Sequence, residues 1–68
     1  MKEYRVMAYF KADAPKGYQP RSYQRKIVTT PYEALDLLDE AKEYYSRYKY
    51  LDKIVIESRF VSRWEEMV

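Results

Sequence analysis

Residues 29–48, TTPYEALDLLDEAKEYYSRY, decide the fold. Thr30 offers a hydroxyl to the bare amides of a helix start, Pro31 takes the first helical position, where no N–H donor is needed, and Glu33 completes a capping box. Beyond them Ala34, Leu38, Ala41, Tyr45 and Tyr48 recur at steps of four and three, with Leu35, Leu37 and Tyr44 at the margins. Asp36, Asp39, Glu40, Glu43, Ser46 and Arg47 fill the opposite arc. The pattern predicts one amphipathic helix from Pro31 to an end near residues 48–52, where no glycine supplies a cap. Helical geometry also divides the tyrosine-rich stretch KEYYSRYKY, residues 42–50. Tyr45 and Tyr48 fall on the inner stripe, Tyr44 at its edge and Tyr50 past the helix, so the four rings do not form one stacking platform.

Strand signals surround this helix. EYRVMAYF, residues 3–10, is rich in strand formers and ends where KADAPKGYQP brings two prolines and the only glycine. SYQRKIVTT, residues 22–30, reads as a second strand returning antiparallel to the first, and KIVIESRFVSRW, residues 53–64, as a long third. The expected fold is α+β, a single domain over residues 1–68 in the order ββαβ. Its three-stranded antiparallel sheet has order 2-1-3 with the helix on one face; order 1-2-3 is the alternative. A strand period of two turns Tyr4, Val6, Ala8, Phe10, Tyr23, Ile27, Ile54, Ile56, Phe60 and Trp64 toward the helix, and makes Leu38, Ile56 and Phe60 core positions.

The same period puts Arg5, Met7, Tyr9, Gln24, Lys26, Val28, Val55, Glu57, Arg59, Val61 and Arg63 on the reverse face, with no second helix left to cover it. Three readings of that face stand side by side. It is a solvated surface in which Glu57 pairs with an arginine of the neighbouring strand; or it docks a protein or a second copy of the chain; or it binds nucleic acid, with basic groups for phosphates and Tyr9 for stacking. The partner contacts expected for the second reading are Arg5, Tyr9, Lys26, Arg59 and Arg63. The nucleic-acid reading adds Lys16, Arg21 and Arg25 from the basic, tyrosine-bearing loop.

Composition narrows the chemistry. With no histidine and no cysteine, the usual nucleophiles, general bases and zinc ligands are missing, and one glycine cannot build a phosphate loop. Asp36, Asp39, Glu40 and Glu43 lie on the solvated side of an amphipathic helix, where acids ordinarily serve solubility. No enzyme activity, cofactor or metal is expected. A net charge of +2 is too small to imply nucleic-acid binding, but its distribution is uneven: residues 1–30 carry +5 and residues 31–52 carry −3. The absence of cysteine and of any long apolar run points to a cytoplasmic protein without a membrane span, and 68 residues make homodimerisation a natural route to a larger core.

IVIESRFVSRWEEMV at the chain end, and TTPYEALDLLDEA before it in style, resemble short accessory proteins encoded by bacteriophages and prophages of Gram-positive bacteria. The resemblance implies an accessory product that binds and redirects a host or phage protein, and brings no catalytic or binding residues with it. The expected function is thus a small non-enzymatic binding module, with weak, largely sequence-independent nucleic-acid binding as the alternative.

Overall fold

Thr30 starts the helix as the capping box requires. Its backbone is extended (φ −121°, ψ 146°) and its Oγ1 accepts the Glu33 amide at 3.3 Å, with Pro31 in the first turn. This is a computed structural model, and it describes residues 2–60 and 65–66. Its elements are β1 (Glu3–Phe10), β2 (Arg21–Ser22), a 3-10 turn (Tyr23–Arg25), α1 (Pro31–Tyr44), β3 (Leu51–Arg59) and β4 (Glu65–Glu66). The sheet order is β2-β1-β3-β4 with every neighbouring pair antiparallel, so the 2-1-3 arrangement holds and the 1-2-3 alternative falls.

The helix packs on the inner face through Ala34, Leu37, Leu38, Ala41 and the capping residue Tyr45, against Tyr4, Val6 and Ala8 of β1 and Ile56 of β3. Ala34 and Ala41 are almost fully buried, as are Val6 and Ala8 on the facing strand, so small side chains on both surfaces let helix and sheet approach closely. Phe10, Val28, Tyr48, Leu51 and Ile54 close the margins of this core.

Six expectations need correction. The second strand does not run over residues 22–30. β2 pairs Ser22 with Met7 and Arg21 with Ala8, whereas Val28 bridges Tyr4, and the two registers differ by three residues. The 3-10 turn absorbs the difference, and beyond it Ile27 stands half exposed while Val28 joins the core instead. The third strand stops at Arg59, and β4 folds back on Glu57 and Ser58. Phe60 therefore leaves the sheet and is 71% exposed, not core. Helix α1 ends at Tyr44, before residues 48–52, because Tyr45 leaves the helical region (φ −91°, ψ 6°); the chain then turns through Ser46 N–H and Oγ–H to Glu43 O and Tyr48 N–H to Tyr45 O. Trp64, expected on the inner face, lies outside the described residues. No helix among those described is long and apolar enough to cross a membrane.

Candidate functional site

Strand register decides what the reverse face can do. β1 and β3 place Glu3 opposite Arg59, Arg5 opposite Glu57, Met7 opposite Val55 and Tyr9 opposite Lys53. Each pair is complementary. Arg59 Nε donates to Glu3 Oε1 at 2.6 Å; Arg5 donates through Nε and Nη2 to Glu57 Oε1 at 3.0 and 2.8 Å; Lys53 Nζ sits 5.4 Å from the Tyr9 ring centre. Tyr9 also donates its hydroxyl to Glu57 Oε2, a reach that carries its ring across the Met7–Val55 pair. Met7, Val55 and Glu57 are buried, Glu57 to 6% exposure. The face expected to lie uncovered is thus closed at its centre by its own side chains. Three of the expected partner contacts, Arg5, Tyr9 and Arg59, are held in this ladder. Arg63 and Val61 lie outside the described residues, and Lys26 is exposed on the other side of the molecule's edge, beyond the 3-10 turn.

That turn is the second feature. Gln24 (φ 54°, ψ 13°) and Arg25 (φ 53°) both occupy the left-handed region although neither is glycine, at a cost of roughly 1–2 kcal/mol each. Burial of the Tyr23 ring offsets it: Tyr23 lies against Tyr44 and Tyr45 at 5.8 and 6.3 Å, and its carbonyl accepts the Lys26 amide at 3.2 Å. The bulge projects Arg25 outward and keeps Tyr23 in the core. Replacing Gln24 by glycine is expected to raise stability by about 0.5–1 kcal/mol, the relieved strain less the added chain entropy of glycine. A thermal melt measures it, and a lower midpoint would contradict the left-handed geometry.

Beside the bulge opens a cleft of about 600 Å³, bounded by residues 21–25, Tyr44 and Tyr45. Among the described residues neither Arg21 nor Arg25 forms an ion pair; Arg21 lies 5.6 Å from the Phe10 ring centre, and Arg25 is exposed. Tyr44, 59% exposed, forms the opposite wall. Ser22, opposite Met7 in the register, turns its hydroxyl to the reverse side, where it is covered and without a hydrogen-bond partner. Lys16 stands apart in the turn closed by Tyr18 N–H to Pro15 O, where Gly17 takes φ 107°, and Tyr18 folds back onto Phe10 and Tyr50.

A second, smaller cleft of about 330 Å³ continues along the same helix flank toward its N-terminus, bounded by Lys26, Val28, Glu33, Asp36, Leu37 and Glu40. Glu33, Leu37, Glu40 and Tyr44 follow one another at steps of four, three and four, which places them in one row on α1. Two clefts with no lining residue in common thus follow one another between residues 21–28 and α1, a groove whose sign changes along its length: two guanidinium groups and tyrosines at the C-terminal end of α1, three carboxylates with Lys26 at the other. Among the described residues no three acidic side chains converge closely enough to hold a metal ion.

The tyrosines at the basic end are electrostatically linked. Burial pushes the Tyr45 hydroxyl above the usual value, neighbouring Tyr44 and Tyr23 add to this, and Arg21 opposes it. Tyr48 is raised chiefly by the neighbouring Tyr44 hydroxyl and then by burial. A raised value in the fold means that the unfolded chain ionises first. The stabilisation is complete below the ordinary tyrosine value of about 10 and is lost as pH climbs through the folded-state values. Alkaline titration is expected to show tyrosinate absorbance for these two rings rising together with loss of circular dichroism. Ionisation at the ordinary value with the fold intact would contradict the packing.

No family model, curated protein or solved structure matches the chain. The geometry alone therefore carries the functional reading. Arg21, Arg25 and Lys26, singled out from the sequence, do come together along the groove. From the sequence, Tyr44 belonged to the helix margin, Glu33 to the capping box, and Asp36 and Glu40 to the solvated arc. Their convergence depends on the bulge, for which the sequence carries no glycine or asparagine signal.

Proposed function

We propose that the chain is a small non-enzymatic binding module that docks a protein partner along the flank of α1, with the bulge as the second wall of the docking groove. The observation that supports this reading is the reversal of charge within one groove. A phosphate backbone laid along it meets Arg21 and Arg25 and then runs into Glu33, Asp36 and Glu40, whereas a protein surface carries both signs and can match both ends. Tyrosine and arginine at the basic end are the residue types that dominate interface energies. The sheet face, by contrast, already satisfies its own charges through Glu3–Arg59 and Arg5–Glu57. An accessory role, in which the module redirects a phage or host protein, follows from the sequence resemblance. A cytoplasmic setting fits the lack of cysteine.

The test is partner capture by the parent chain and by two variants. Arg21→Glu with Arg25→Glu is expected to abolish capture, and Arg59→Gln to retain it. The reverse pattern would return the function to the sheet face. Parallel titration with single-stranded DNA and RNA at low salt is expected to give no binding. An association that weakens with salt by about 0.7 log units per log unit of salt for each phosphate contacted would establish the nucleic-acid reading in its place.

A further inference from the structure

The groove is complementary to itself. Its basic end, where Arg21 of β2 and Arg25 of the 3-10 turn stand beside Tyr44, and its acidic end (Asp36, Glu40) follow one another along one flank of α1, and from Asp36 to Tyr44 the helix rises roughly 12 Å. Turn a second copy by half a rotation about an axis that lies in the plane of that flank and perpendicular to α1, and its acidic end faces the first copy's basic end while its basic end faces the first copy's acidic end. A single operation satisfies both ends at once, the isologous arrangement of a twofold dimer.

We infer that the protein partner is a second copy of this chain, and that the module forms a twofold dimer in which the α1 flanks pack antiparallel, Arg21 and Arg25 of each copy meeting Asp36 and Glu40 of the other. This rests on the α1 flank being the docking surface. Two observations carry it beyond that reading. The charges of the two ends are opposite and comparable in number: two guanidinium groups face three carboxylates tempered by Lys26. Tyr44, 59% exposed at the basic end, is a ring surface that the acidic end of an antiparallel partner covers. Built on exposed charges, the dimer is salt-sensitive, because the screening length at physiological ionic strength is about 8 Å.

Charge reversal tests this without disturbing the core, since all four positions are exposed. Sedimentation velocity over a concentration series compares the parent chain with an acidic variant, Arg21→Glu and Arg25→Glu, and a basic variant, Asp36→Lys and Glu40→Lys. Circular dichroism confirms that both are folded. The parent is expected to dimerise reversibly and to dissociate in high salt. Each variant alone juxtaposes like charges and is expected to bind itself more than about 100-fold more weakly. Mixed in equal amounts, the two are expected to form a heterodimer, because the acidic variant now carries carboxylates at both ends and the basic variant cations at both. A parent monomeric at every concentration overturns the dimer and leaves the flank as a docking surface for another protein, which the capture experiment judges separately. A parent dimer indifferent to both reversals but broken by Arg59→Gln overturns the dimer geometry and the flank reading together.

Discussion

Tyr45→Ala is expected to leave the chain largely unfolded at room temperature. Tyr45 caps α1 and is the ring on which the others converge, with Phe10, Tyr23, Tyr44 and Tyr48 at 6.0, 6.3, 4.9 and 4.7 Å. Removing a buried aromatic side chain costs about 3–5 kcal/mol, and each lost ring pair adds roughly 0.5–1.5 kcal/mol. A domain of 68 residues has only about 3–10 kcal/mol to lose. Tyr44→Ala supplies the contrast. Its ring is 59% exposed, so the fold is expected to survive while docking weakens. Thermal melts by circular dichroism separate the two. A cooperative Tyr45→Ala transition within a few degrees of the parent would show that the aromatic cluster does not hold the helix to the sheet.

The second large effect lies on the reverse face. Arg5→Met removes both guanidinium donors from Glu57 and leaves a carboxylate at 6% exposure with the Tyr9 hydroxyl beside it. Breaking a buried pair costs about 3–5 kcal/mol; Arg5 is itself about a quarter exposed, and screening lowers the expected loss to about 2–3 kcal/mol. Replacing the pair together, Arg5→Met with Glu57→Leu, is expected to restore most of that stability, since no charge is then stranded in the sheet. Denaturant unfolding of the two single variants and the double variant measures the coupling. Neither change is expected to weaken docking. A stable Arg5→Met protein that no longer binds would make Arg5 an interface residue instead of a structural one.

How much of this the sequence disclosed differs from element to element. The start of α1 was legible because Thr30, Pro31 and Glu33 satisfy local requirements that no tertiary contact overrides. The inner face of β1 was legible because Tyr4, Val6 and Ala8 repeat with the pleat. The end of β3 was not, since the apolar alternation continues past Arg59 and offers no stop. The bulge was not legible either: its three-residue offset is set by where Tyr23 finds Tyr44 and Tyr45, a tertiary match that overrides the strand propensity of residues 22–30. That offset also governed the site. The pairing of Glu57 with an arginine of the neighbouring strand was legible in the strand period, and Arg5 is that arginine; the β1–β3 register adds Lys53 opposite Tyr9 and Glu3 opposite Arg59, which the sequence did not disclose. Arg21 and Arg25 were singled out for their loop, but the acidic wall that gives them a complement belongs to the helix and comes alongside only after folding.

The most direct measurement is a concentration series of backbone amide spectra of the parent chain, which maps the surface that changes as copies meet. Shifts are expected to be confined to residues 21–26 and to α1 from Glu33 to Tyr45, reversed by high salt. Residues 5, 9, 57 and 59 should stay still. Shifts that track Arg5, Tyr9 and Arg59 while the α1 flank is unchanged would contradict it, and would return the working surface to the sheet.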